Sequence, residues 1–231
     1  MTIRREPFAL GEFYHLYSRG VDKRTIFRDN VDRFRFVRLL HFCNNDEPVI
    51  YKEVKDLSLK SCVCEERLTS LGAYCLMGNH FHVLVKEETE GGIVKFVSKL
   101  LTAYSSYFNR KHDRTGALFE SEFKASHLDT DEYLKYIFAY IHLNPLKIMD
   151  ADWRDKPIER QQAERFLRKY RFSSYDDYIG KVRDEAVVLN KELFPEYFTT
   201  ASNFEEYIYD WINFSHTSLA GTSADFRRIP K

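Results

Sequence analysis

With 231 residues, 44% of them hydrophobic and 30% charged, the chain is long enough for one domain with a modest appendage and rich enough for a real core. No apolar run reaches the ~18 residues of a membrane span, and Met1-Thr2-Ile3-Arg4-Arg5-Glu6 lacks the apolar stretch of a secretory signal. Four cysteines without such a signal point to a reducing cytoplasm and against a disulfide framework. Charge is balanced at 35 basic and 35 acidic residues, which weighs mildly against a nucleic-acid binder. The basic residues are clustered, however: Arg19, Lys23, Arg24, Arg28, Arg33, Arg35 and Arg38 form one group, and Arg110, Lys111, Arg114 and Lys124 a second. A local basic face on a neutral protein is compatible with that distribution.

In chain order, the aromatic-rich segment from Phe13 to Ser18 reads as a strand ended by Arg19-Gly20. Asp29-Asn30 caps a helix predicted to run to about Cys43, and Asn44-Asn45-Asp46-Glu47-Pro48 breaks it. Residues 45–67 read as an inserted loop containing Cys62 and Cys64. Leu68 to Met77 and His80 to Lys86 form two strands joined at Gly78-Asn79. After Gly91-Gly92, periodicity predicts a helix from Ile93 to about Arg110, followed by a strand over Leu118 to Leu128. Asp129-Thr130-Asp131-Glu132 supplies caps and a negative first turn for a helix through about Leu143. Asn144-Pro145 should end it, because the residue before proline is disfavoured in the helical region.

The order strand, helix, strand, strand, helix, strand is that of a ferredoxin-like α+β fold, an antiparallel sheet with its helices on one face. One further helix follows, and beyond about residue 150 the sequence is expected to form a mainly helical C-terminal extension. The division expected is thus 1–150 and 151–231.

Two constellations carry chemistry. In Asn79-His80-Phe81-His82-Val83, residues two apart on a strand share a face, so His80 and His82 present paired imidazoles while Phe81 and Val83 face a core. Imidazoles suit transition ions, although the spacing alone is equally compatible with two edge histidines. In the helix from Tyr136 to Asn144, Tyr136, Tyr140 and Asn144 lie four apart on one side. A phenol beside an amide oxygen offers a nucleophile and a metal ligand together; the alternative is an aromatic stripe packed on the sheet. Tyrosine's ordinary pKa near ~10 means that it needs a polarised electrophile or nearby cations to react at neutral pH. Cys62-Val63-Cys64 has no second cysteine pair to complete a structural zinc site. A Walker-type phosphate loop is missing, and Ser173-Ser174 has no nucleophile-elbow context.

These pieces together resemble the HUH single-tyrosine transposases, specifically the REP-associated tyrosine transposase branch. The blocks are Tyr14-His15-Leu16-Tyr17-Ser18-Arg19-Gly20 with Ile26-Phe27, then Tyr74 to Val85 around His80-Phe81-His82, then Tyr107-Phe108-Asn109-Arg110-Lys111-His112. Gly116 to Ala125, Tyr140-Ile141-His142-Leu143-Asn144-Pro145 and Tyr170 to Tyr175 follow in the same order. The resemblance implies that Tyr140, rather than Tyr136, is the nucleophile and that His80, His82 and Asn144 hold a divalent ion, magnesium or manganese. It implies cleavage and rejoining of single-stranded, hairpin-forming DNA through a 5′-phosphotyrosine, by a monomer or homodimer, in a bacterial cytoplasm without membrane attachment. Arg19, Lys23, Arg24, Arg110 and Lys124 are the expected phosphate contacts. Gly78 and Glu122 depart from the proline and the basic residue usual in the family, which leaves the turn and an adjacent DNA contact in doubt. Competing readings are a catalytically silent DNA-binding regulator of the same fold, a relaxase- or replication-initiator-type nuclease, and a metal-dependent RNA-processing enzyme.

Overall fold

A computed structural model describes residues 7–61, 66–120, 123–154 and 158–217. Cys62, Cys64 and Glu122 lie outside the described residues. The strands are β1 (Phe13–Arg19), β2 (Thr69–Leu76), β3 (His80–Glu87) and β4 (Lys124–His127). The helices are α1 (Asn30–Phe42), α2 (Tyr51–Val54), α3 (Gly92–Lys111), α4 (Asp131–Leu143), α5 (Leu146–Met149), α6 (Arg160–Leu167), α7 (Tyr175–Tyr178) and α8 (Ala201–Thr217). The sheet order is β2-β3-β1-β4 with every pairing antiparallel, the ferredoxin-like arrangement expected.

Strand alternation divides the interior. Tyr14 and Leu16 of β1 and Phe81, Val83 and Val85 of β3 join Phe36, Val37 and Leu40 of α1 and Phe96, Leu100 and Tyr104 of α3 in one cluster. The two crossover helices therefore share one face. Ala73, Cys75 and Leu84 point the opposite way and meet Leu134, Ile137, Phe138 and Ile141 of α4. The further helix thus covers the other face.

Local chemistry sets the helix limits. The Asp29 carboxylate accepts from Asp32 N at 2.9 Å to cap α1, and Thr130 Oγ1 accepts from Tyr133 N at 3.2 Å to cap α4. Asp32 is fully buried; Tyr107 Oη, Lys111 Nζ and His112 Nε2, at 2.9, 2.7 and 3.1 Å, tie it to the end of α3.

Three expectations need adjustment. Among the described residues of the segment predicted as one strand over Leu118–Leu128, an isolated bridge pairs Phe119 with Gly20 and β4 runs from Lys124 to His127. Asn144 keeps helical angles (φ −53°, ψ −38°) despite preceding proline, as does Pro145 (φ −58°, ψ −24°), so the backbone runs on into α5. What proline removes there is one N–H donor rather than the helical conformation. The inserted loop carries α2 and a 3-10 turn at Leu59–Ser61, with Leu59 buried in the main cluster.

The C-terminal part packs into the same body. Trp153, Leu167, Tyr175, Phe204 and Ile208 form a cluster with Ala139 and Leu143 of α4. Ser174 Oγ accepts from Tyr74 N at 3.0 Å, and Phe194 fills the space left by Gly72 beside the bulge in β2. These contacts fix the back of α4, and with it the direction in which Tyr140 faces the sheet.

Candidate active site

The face of the sheet opposite α1 and α3 carries His15, Tyr17 and Arg19 from β1 and His80 and His82 from β3. The register pairs Tyr17 with His82 and Arg19 with His80. His80 and His82 present their rings at 5.0 Å, as strand alternation predicts. Across from them, the Tyr140 ring meets the His82 ring edge-to-face at 5.3 Å and the His15 ring at 5.6 Å. Tyr140 and Asn144 sit one helical turn apart on α4, both buried, and Asn144 Nδ2 donates to Tyr140 O at 2.7 Å. The structure therefore places His80 beside His82, and Tyr140 beside both His82 and Asn144, the four residues to which the resemblance gives roles.

Hydrogen bonding prepares the two imidazoles. His80 Nδ1–H donates to Asn79 Oδ1 at 2.6 Å, and that amide is oriented by its own donation from Nδ2 to Lys23 O at 3.1 Å. The Nε2 lone pair of His80 is left for a ligand. His82 Nδ1 and His15 Nε2 share a hydrogen bond of 2.9 Å. With the proton on His82 Nδ1, its Nε2 lone pair is likewise directed away from the strand. Burial holds all three histidines well below their ordinary pKa, His80 at about 4 and His15 at about 3, so all are neutral near pH 7.

Among the described residues, two buried side-chain atoms of this region have no hydrogen-bond partner: His82 Nε2 and Asn144 Oδ1. Buried acceptors left in this state are costly unless something binds them. Neutral imidazole nitrogens and an amide oxygen form a donor set for a divalent transition ion or magnesium. Among the described residues no three His, Cys, Asp or Glu side chains converge as a metal cluster. His15 already engages His82, and the Asn144 amide oxygen is a further buried donor atom on α4.

Two cations lie against the phenol ring. The Arg154 guanidinium lies 5.1 Å and the Lys147 ammonium 5.8 Å from the centre of the Tyr140 ring. Burial raises the Tyr140 pKa, while the charge of Arg154, the Asn144 side chain and the charge of Arg19 act in the opposite direction. Lys147 is itself lowered to about 8 by burial and by the neighbouring Arg154 and Arg19 charges. His15, Lys147 and Arg154 carry no role in the sequence reading, although His15 stands in a motif block. Strand parity alone would have put His15 on the face of Tyr17 and Arg19.

Of the remaining predicted contacts, Lys124 is exposed opposite Tyr17 and so projects from the same sheet face as the histidines. Lys23 is exposed beside the Gly78-Asn79 turn. Arg24 pairs with Asp22 at 3.2 Å and donates from Nε to Val21 O at 2.9 Å. Arg110 is exposed on the last turn of α3, which packs on the opposite face of the sheet from Tyr140. Tyr136 meets Trp211 of α8 at 4.9 Å and Tyr140 at 6.0 Å, a packing position.

Residues 36–144 match the family model described as transposase IS200 like, a span containing His80, His82, Tyr140 and Asn144. No curated protein matches the chain. A solved structure described as a REP-associated tyrosine transposase bound to a REP hairpin is similar at 14% identity with a TM-score of 0.46, covering 80% of this chain and 90% of the other.

Proposed function

We propose that this chain, whose residues 36–144 match the model of the IS200-like transposases, cleaves and rejoins single-stranded DNA at hairpin-forming sites with Tyr140 as nucleophile. The observation that carries this reading is the juxtaposition of Tyr140 with His82 at 5.3 Å and with the orphaned acceptors His82 Nε2 and Asn144 Oδ1.

His80, His82 and Asn144 would hold the divalent ion, which supplies Lewis-acid polarisation of a non-bridging phosphate oxygen. The chain's own residues supply the rest. Arg19 at the end of β1 and Lys147 on α5 favour a phosphodiester near the phenol. Arg154 favours the phenolate as the proton leaves Tyr140 Oη. Tyr140 Oη then forms a bond to phosphorus while the bond to the 3′-oxygen of the departing strand breaks, leaving a 5′-phosphotyrosine and a free 3′-hydroxyl. Attack by another 3′-hydroxyl reverses the step, and the phosphotyrosine conserves the bond energy. Arg19, Lys23, Arg24 and Lys124 are proposed to contact phosphates, with unpaired bases stacked on aromatic side chains. Arg110, on the other face, is the weakest member of that group.

Tyr140→Phe with an end-labelled hairpin oligonucleotide and manganese tests the assignment. Loss of cleavage by at least ~1000-fold with hairpin binding retained is expected for removal of a nucleophile. Undiminished cleavage would sink it.

A further inference from the structure

A second basic cluster lies across the Gly78-Asn79 turn from the histidines. Asp22, Arg24, Thr25, Arg28, Phe108 and Arg114 line a cavity of about 500 Å³. Three guanidiniums face one carboxylate, and that carboxylate is already paired with Arg24. The guanidiniums of Arg28 and Arg114 lie 5.6 and 5.9 Å from the centre of the buried Phe108 ring. Arg114 is further held by donation from Nη1 to Asn109 Oδ1 at 2.7 Å. Partial burial and the Arg24 and Arg28 charges push its pKa below the ordinary arginine value, as expected where like charges converge.

The cavity is rigidly linked to the candidate active site. Gly78 O accepts from both Ile26 N and Phe27 N, at 3.0 and 3.2 Å, and Asn79 O accepts from Gly20 N at 2.9 Å. Asp22 and Lys23 hold left-handed angles (φ 55° and 56°), a strain that this clamp sustains. The loop carrying Arg24 and Arg28 is thus pinned to the turn that positions His80. Three guanidiniums gathered around one already paired carboxylate among the described residues suit an oxyanion.

We propose that Arg28 and Arg114, with Arg24, form a second phosphate-binding pocket that grips the backbone of the bound DNA away from the scissile phosphate. This rests on the DNA-cleaving reading above and adds to it a place where the strand is held after it passes the turn. Neither Arg28 nor Arg114 was among the expected contacts.

The test measures binding of a fluorescent hairpin oligonucleotide to full-length Tyr140→Phe protein across a potassium chloride series. In that background, Arg28→Ala with Arg114→Ala should weaken binding about tenfold and reduce the magnitude of the salt slope by roughly one. Arg28→Lys with Arg114→Lys, which keeps the charge, should retain the slope. Lys52→Ala, removing an exposed charge on α2, should change neither quantity. Unchanged affinity and slope in the double alanine variant, with the parent still binding in a salt-dependent way, would overturn the pocket alone. A parent that fails to bind the hairpin would overturn the DNA reading and the pocket with it. If the alanine and lysine pairs lost affinity equally with the slope intact, the effect would be structural and the proposal would fall.

Discussion

At the scale of single residues, the open valences of His82 and Asn144 are the most informative feature. Asn144 Nδ2 is spent on Tyr140 O, which turns Oδ1 away from the helix backbone, and His15 occupies His82 Nδ1. Each residue has been left with one buried polar atom that has no partner among the described residues. Substituting Asn144→Leu or His82→Ala should weaken manganese binding, read by titration calorimetry, by 100-fold or more on an order-of-magnitude view. His15→Phe, which removes only the partner of His82, should cost about tenfold. Equal manganese affinity in all three variants would remove the metal from this site. The pairing of His80 with His82 and of Tyr140 with Asn144 was legible in the sequence because each pair rests on one element's period. His15, Lys147 and Arg154 were not legible in the same way. His15 reaches His82 through the pairing of β1 with β3, separated by 67 residues; Lys147 reaches Tyr140 because the backbone stays helical through Pro145 into α5, against the break expected there, and Arg154 comes from the turn after α5, which no local period encodes.

At the scale of elements, α4 matters most, because it carries Tyr140 on one side and is packed from behind by the C-terminal segments. The hold on those segments is partly ionic. Arg183 donates to Asp177, to Tyr74 Oη at 3.0 Å and to Ser173 O at 2.7 Å, joining the segment after α7 to β2. Burial raises the Asp177 pKa, opposed by Arg183. Arg183→Met should therefore leave a buried carboxylate unpaired and destabilise the protein by ~3–5 kcal/mol in urea unfolding. A loss below ~1 kcal/mol would mean that the pair is dispensable. The caps of α1 and α4 were readable from Asp29 and Thr130. The final strand was overextended in the sequence reading because residues 118–128 have strand-like composition, while β4 pairs with β1 only from Lys124 to His127. Helix α2 is too short for periodicity to reveal, since four residues make barely one turn.

At the scale of the whole molecule, one sheet separates a packing face from a chemical face. The order β2-β3-β1-β4 puts β1 and β3, which carry His15, His80 and His82, at its centre. The buried His142, which joins α4 to the C-terminal part, gives the molecule a pH dependence. Its Nδ1–H donates to Phe138 O at 2.7 Å and Ser174 Oγ lies 2.7 Å from Nε2, and burial lowers its pKa to about 3. The folded pKa lies below the unfolded value, so between them the unfolded chain binds the extra proton. This contribution to stability is complete above about pH 6.5 and is lost as pH falls toward 3, at up to ~1.4 kcal/mol per pH unit for one such group. Urea unfolding between pH 7 and pH 4 should show a decline to which buried His15, His80 and His82 add in the same sense, and His142→Gln should make it shallower by one group's share; an equally steep decline in the variant would show that His142 contributes nothing to it.

Tyr140, rather than its neighbour Tyr136, is the residue proposed to become joined to DNA. Trapping the adduct with a hairpin oligonucleotide and manganese, digesting it and locating the modified peptide by mass spectrometry addresses this directly. The account predicts a phosphodiester-linked nucleotide on Tyr140. A nucleotide on Tyr136, or strand cleavage with no tyrosine adduct at any time point, would contradict it.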